Sequence, residues 1–238
     1  MTPNRSPNCR FAFSAIALLI LFTPAAGLAA PAGEVTHVSG VLMVRKADGT
    51  SRILAPKSTV EPGDLLATAG DTYARVKFAD GGEITLRPNS QFKIEMFNYD
   101  KGVSDGDSAI FSLLKGGLRT ITGLVGKRKP NSYEMRTSTA TIGIRGTNYG
   151  LLLCQGDCQT LRNNFGQVPQ DGLHVDVANG IISVTNKGEQ VLFSAGQFGY
   201  VQSFTTPPTI VPQGQGVTSN TPSFQSGPAG SNAGCVVQ

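Results

Sequence analysis

Residues 138–153 limit the fold more than any other stretch: Ser-Thr-Ala-Thr-Ile-Gly-Ile-Arg-Gly-Thr-Asn-Tyr-Gly-Leu-Leu-Leu, with no proline and a single charge, Arg145. β-Branched, aromatic and aliphatic side chains in this density suit a pleated, half-buried surface. The run is therefore expected to form the most buried strand pair of a β domain. Gly143, Gly146 and Gly150 would weaken such strands unless each marks a bulge or a close approach of another group. Arg145 cannot shed its charge, so in apolar surroundings it needs a carboxylate or backbone partner. An internal partner is the expectation, and Arg145 is also the residue here best suited to meet another molecule.

The flanking sequence agrees with a β fold. Glycine is frequent (29 of 238 residues), charged residues make up 15%, and tryptophan is absent. Period-two alternation recurs in residues 35–44, 73–78, 83–87 and 91–96, with a return strand opening at Ile53-Leu54 and another short strand at 65–68. Asp48-Gly49, Pro62-Gly63, Asp80-Gly81-Gly82 and Pro88-Asn89-Ser90 punctuate these runs as turns. Residues 109–121 predict another strand pair, bent at Gly116-Gly117. Strands this closely spaced leave no room for crossover helices. The expected fold class is all-β: short strands and hairpins in a sandwich- or solenoid-like β domain. The pattern Gly40-Val41-Leu42-Met43-Val44, followed by Gly49 and Leu54, is echoed by Gly180-Ile181-Ile182-Ser183-Val184, followed by Gly188 and Leu192. One hairpin unit is thus expected near both ends of the domain. From residue 205 to 238 there is no charge, and Pro, Gly, Ser, Thr, Gln and Asn dominate. Such a composition buries too little to offset its ordering entropy, so a disordered C-terminal tail is expected.

The first 30 residues read as a cleavable signal peptide. Arg5 and Arg10 form a basic n-region, an apolar run follows from Phe11 to Phe22, and Ala25-Ala26-Gly27-Leu28-Ala29-Ala30 supplies small residues for cleavage. The apolar run is shorter than the roughly 20 residues a spanning helix needs. The expected product is periplasmic or secreted and does not span the membrane after cleavage. It would carry 18 basic and 16 acidic residues, a net charge of +2 that does not point to nucleic acid. In an oxidising compartment, Cys154 and Cys158, separated by Gln155-Gly156-Asp157, are expected to form a disulfide across a tight hairpin turn. A metal site using Cys154, Cys158 and His174 is the rival, but the spacing is not that of a C-x2-C knuckle and no fourth ligand is evident. Cys235 has no obvious partner; its match to the C-a-a-X pattern is read as chance, because an exported chain would not meet that enzyme.

No catalytic constellation stands out. There is no G-x-S-x-G elbow and no H-E-x-x-H helix, and the two histidines, His37 and His174, fall inside strand-like runs. Asp80 and Glu83 could be offered as a glycosidase pair, but they sit at a glycine turn and a strand start, where turn chemistry and solvation explain them. The aspartates of residues 97–108 lack the glycine and glutamate positions of an EF-hand and read as a solvated loop. Gly126-Lys127-Arg128-Lys129-Pro130 is the densest basic run. It is not a phosphate loop, since Ile121 stands where that motif has glycine and no Ser or Thr follows Lys127. It reads as an exposed hairpin tip. Lys127, Arg128 and Lys129 join Arg145 as candidate partner-binding residues.

Several of these pieces, taken in order, resemble the FecR-type periplasmic domain. They are Gly33, Val35, Val38 and Gly40; Glu61-Pro62-Gly63-Asp64 with Thr68; Ala74, Val76 and Phe78 with Asp80-Gly81; and Leu86, Pro88, Ser90 and Ile94. Leu114-x-Gly116-Gly117-Leu118 and Ala140-Thr141-Ile142-Gly143-Ile144-Arg145-Gly146-Thr147 complete the series. The resemblance covers roughly residues 33–155, with a β extension to about 202, and implies a mainly β, non-enzymatic domain without cofactor. Name-giving members pair such a domain with a membrane span and a cytoplasmic sigma-regulating segment. No such segment precedes the hydrophobic stretch here, so the interaction domain is expected to carry over and the transcriptional switch is not. The resulting division is 1–30 signal peptide, 31–155 FecR-like β domain, 156–204 β extension and 205–238 tail. The expected partner is an envelope protein, a receptor or secretion component. The alternative is a polysaccharide- or peptidoglycan-binding module reading cell-wall glycan. That alternative calls for an exposed row of aromatics, and Tyr73, Phe92, Phe97, Tyr99 and Tyr149 are scattered along the chain.

Overall fold

The computed structural model describes residues 30–103, 105–219 and 221–222. The expected signal peptide apart from Ala30, and with it Cys9, lies outside the described residues, as does Cys235. The first half of the chain forms β1 (Gly33–Val38), β2 (Leu42–Arg45), β3 (Ser51–Leu54), β4 (Thr59–Val60), β5 (Leu65–Thr68), β6 (Ala74–Phe78), β7 (Glu83–Leu86) and β8 (Gln91–Asn98). Next come β9 (Ser108–Ile121), a one-turn helix α1 (Leu124–Arg128), a 3-10 turn at Pro130–Ser132 and β10 (Tyr133–Arg136). The chain closes with β11 (Thr141–Cys154), β12 (Gly172–Asn186), β13 (Glu189–Ser194), β14 (Phe198–Val201) and β15 (Thr209–Val211).

All fifteen strands belong to one sheet, which three long strands fold into two layers. The N-terminal half of β9 lies between β8 and β10, and its C-terminal half between β7 and β11. β11 passes from β10 to β9 in the same way while keeping β12 on its other side, and β12 passes from β14 to β13. One layer therefore runs β3-β2-β5-β8-β9-β10-β11-β12-β13, and the other β4-β1-β6-β7-β9-β11-β12-β14-β15. The bends fall at Gly116 (φ 76°), Gly146 (φ 56°) and Gly180 (φ 79°), a backbone region that costs a residue with a Cβ. These are changes of direction within a strand, not hairpin turns. Hence 109–121 and 138–153, each expected as a strand pair, fall instead on single 14-residue strands, Ser108–Ile121 and Thr141–Cys154.

Alternating inward residues of both layers fill one core. At its centre the Phe111 ring lies 5.0 Å from that of Phe78, 5.4 Å from Phe92 and 5.8 Å from Tyr133. Phe78 comes from one layer and Phe92 from the other, so this cluster clamps the two together. The hairpins that echo each other in sequence, β2–β3 and β12–β13, occupy the two ends of one layer. Their turns differ: residues 46–50 link the first pair, whereas Lys187-Gly188 alone link the second. That difference puts Phe193, not Leu192, at the buried position corresponding to Leu54.

Two expectations change. The segment assigned to a disordered tail is ordered at its start: Thr209–Val211 pairs with β14, and Ser219 is buried. The uncharged composition hid this because the anchoring charges lie on the sheet, not on the segment. Residues 223–238 lie outside the described residues. The second change concerns the cysteine loop. Cys154 and Cys158 are bonded, as expected. They do not face each other across a hairpin, because Cys154 pairs with Gly172 and the connection continues through residues 155–171.

Candidate partner-binding surface

Strand alternation decides where Arg145 points. Ile142 and Ile144 face the core, so Thr141, Gly143 and Arg145 take the outer face of the β10–β13 layer. The bulge between Arg145 and Asn148 interrupts this alternation and leaves both Arg145 and Gly146 exposed. No carboxylate among the described residues lies within ion-pairing distance of Arg145, so the expected internal partner is replaced by solvent. Register places Arg145 opposite Ile181, Gly143 opposite Ser183, and Ser183 opposite Leu192. Ile181 and Leu192 are 39% and 59% exposed. Together they floor an open groove of about 790 Å³, with Glu134 beside it and Pro130 and Asn131 as one wall.

The basic run is not a hairpin tip. The Asp80 carboxylate accepts from the backbone N–H of Gly82 (2.9 Å) and Val125 (3.1 Å), and its carbonyl from Leu124 (3.0 Å), which starts α1 at this point. Asp80 is thus a turn and capping residue, and Glu83 sits 3.7 Å from Arg75. Arg128 lies 5.6 Å from the Tyr99 ring centre and 3.9 Å from Asp107, and Lys129 donates to the Asp105 carbonyl (2.7 Å). The basic run and the acidic loop therefore hold each other, and Lys127 stays exposed. The run leads into the Pro130–Asn131 wall, so the fold brings it beside the groove that Arg145 floors.

Sheet edges are the other feature of this surface. Among the described residues β13 pairs with β12 alone and β3 with β2 alone. β3 is four residues long, carries Arg52 and is followed by Pro56 and Lys57, features that blunt an edge. β13 has six residues, no proline and no lysine, and exposes Leu192. It is the edge best suited to accept another strand.

The remaining sequence candidates resolve as structure. The disulfide uses both cysteines of the rival metal site, and no group of three metal-ligating side chains occurs among the described residues. No helix of the described residues is long and apolar enough to cross a membrane. Phe92 and Tyr149 are fully buried, and Phe97 and Tyr99 pack against the core, so these aromatics form no platform.

His174 accompanies a feature that sequence reasoning missed, on the outer face of the other layer. It is 8% exposed, stacks on Tyr200 with ring centres 5.0 Å apart, and its Nε2 lies 2.8 Å from the Gln170 carbonyl. Burial holds its pKa below the ordinary value of 6.5. The unfolded chain therefore takes up a proton before the folded chain does. Stability is full above about pH 6.5 and falls as pH drops from there through the folded value. Thermal unfolding is expected to shift downward between pH 7.5 and 5.5, and His174→Asn is expected to flatten that dependence. Equal slopes for the two proteins would contradict it.

In the next row on the same face, Arg119, Gly150 and Asp176 stand opposite one another on β9, β11 and β12. Arg119 pairs with Asp176 across the glycine and donates to Asn148 (2.8 Å). The available signal was Arg119 beside Leu118 and Asp176 between Val175 and Val177, charges set in apolar surroundings, with Gly150 on the strand between.

A family model described as FecR protein matches residues 64–183. No curated protein matches the chain. Two solved structures of a "putative anti-sigma factor" from Parabacteroides distasonis ATCC 8503 are similar at 10% identity and TM-score 0.46, over 63% of this chain and 60% of that chain. A solved "cell surface anchoring domain" is similar at 22% identity and TM-score 0.26, over 26% of this chain and 82% of that chain. The chain thus spans about 60% of the length of the anti-sigma factor chain it resembles.

Proposed function

Because the chain belongs to the FecR protein family, we propose that it is a non-enzymatic, exported interaction domain of the cell envelope, periplasmic or secreted, acting in envelope signalling or assembly. Its partner is another envelope protein, a receptor or secretion component, that adds a strand to the β13 edge. The observation that carries this reading is the β13 edge, unpaired among the described residues and bordered by the exposed Leu192, Ile181 and Arg145. Main-chain hydrogen bonds along the edge would supply affinity, and Leu192 with Arg145 would supply selectivity.

In-cell crosslinking of the tagged full chain, followed by mass spectrometry, tests it. The natural protein is expected to retain a receptor or secretion component, and Leu192→Asp combined with Arg145→Glu to lose at least 90% of it. Both substitutions are at exposed sites, so the fold should survive. Recovery of cell-wall glycan without protein above background would overturn this reading in favour of a glycan-binding module.

A further inference from the structure

After β15 the chain turns back across the outer face of the layer opposite the β13 groove. Val217 packs with Leu152 and the Cys154–Cys158 disulfide in a small second core. Ser219 donates its N–H (2.8 Å) and its hydroxyl to Asp176. The Ser219 carbonyl accepts from Arg119 Nε (3.3 Å), and the Thr218 carbonyl from Arg87 Nη1 (3.5 Å). Gly150 makes the fit feasible, because a Cβ there would collide with the Ser219 hydroxyl and the Asp176 carboxylate. Among the described residues, the one backbone-to-backbone bond of segment 212–219 is internal, from Gln215 N–H to the Pro212 carbonyl. The segment sits on the sheet as a ligand sits in a site, held by side chains and by no strand ladder.

The charges of that site do not balance. Arg87 and Arg119 both donate to carbonyls of the segment, while among the described residues the carboxylates nearby are already committed, Asp176 to Arg119 and Asp157 to Lys115. Arg87 is half-buried and has no carboxylate within ion-pairing distance among the described residues. Neutral peptide carbonyls satisfy such cations poorly, and a carboxylate at the Ser219 position would accept a charge-assisted hydrogen bond from Arg119 and offset the excess positive charge beside it.

We propose that this groove is a receptor for the extended C-terminal end of a partner chain, with Val217–Ser219 as a displaceable neutral occupant. A small β-branched residue fills the Leu152–disulfide cluster, a serine two positions later donates to Asp176, and the terminal carboxylate takes the place of the Ser219 carbonyl at Arg119, with Arg87 one carbonyl before it. The tethered segment benefits from a high local concentration, so only a partner with the added charge displaces it. This site lies on the opposite layer from the β13 edge and does not depend on it.

The test uses the full chain and fluorescent Gln-Gly-Val-Thr-Ser peptides ending in either a free carboxylate or an amide. Fluorescence anisotropy is expected to show the acid peptide binding at least tenfold more tightly than the amide. Val217→Asp, which ejects the tethered segment, should tighten both, with Ser219→Pro as a second release variant should Val217→Asp fail to fold. Arg87→Gln, which removes the excess positive charge, should reduce the acid preference, and hydrogen exchange in residues 212–219 should rise when the acid peptide binds the natural chain. Equal binding of acid and amide, or no binding to either release variant, would overturn the proposal. A partner missing at β13 would leave these readings unchanged, so the two ideas fail separately.

Discussion

Replacing Phe111 by alanine is expected to cost about 3–5 kcal/mol, the usual range for removing a buried phenylalanine with partial collapse of the cavity. Phe111 is 3% exposed and touches aromatic rings from both layers: Phe78 on β6, Phe92 and Phe97 on β8, and Tyr133 on β10. Its loss removes buried area and several ring contacts, each worth about 0.5–1.5 kcal/mol beyond that area. A domain of this kind has about 5–15 kcal/mol to lose. Urea unfolding of the full chain would show this as a lower midpoint with an unchanged slope, and Phe111→Leu should cost under half as much. A loss below about 1 kcal/mol for the alanine variant would mean that the layers are not clamped at this cluster.

The short strands were legible because each carries both of its determinants locally. In β6 and β7, for example, Ala74, Val76, Phe78, Ile84 and Leu86 alternate with polar residues, and Asp80-Gly81-Gly82 turns the chain between them. The layering was not legible. Gly116 reads locally as a bend between two strands, Gly146 as a bulge or close approach and Gly180 as the start of a strand, and only the partners on either side reveal that a strand continues through each of them into the other layer.

Arg145 and the basic run show the same limit at the candidate surface. The sequence marks Arg145 as a charge among apolar residues, but whether it is inside or outside depends on the parity of the strand and on a bulge one residue later. Lys127, Arg128 and Lys129 are marked as a cationic patch. Two of them are in fact committed to a loop some 24 to 28 residues away, a pairing that no local pattern encodes. The open β13 edge was invisible for the opposite reason. An edge is defined by the absence of a neighbour, which only the complete strand order supplies.

Asp176 shows how much a long-range pair can carry. Asp176→Ala is expected to cost about 3 kcal/mol, because it leaves the Arg119 guanidinium in a largely buried row without its counter-charge. Arg119 would keep Asn148 Oδ1 and the Ser219 carbonyl as acceptors, both neutral. Its side chain is 19% exposed, so some water reaches it, which puts the loss at the low end of the usual range for a broken buried pair. Replacing both partners by apolar residues of similar size, Arg119→Met with Asp176→Leu, removes the unpaired charge and should recover at least half of the single-variant loss. The cycle built from the natural protein, Arg119→Met, Asp176→Leu and the double variant is expected to give an interaction energy of about 2 kcal/mol, and the two sites touch, so additivity is not anticipated. Unfolding measurements on the four proteins decide the matter. Strictly additive losses would mean that the pair is already solvated, and that the segment lying over it contributes little to keeping water away.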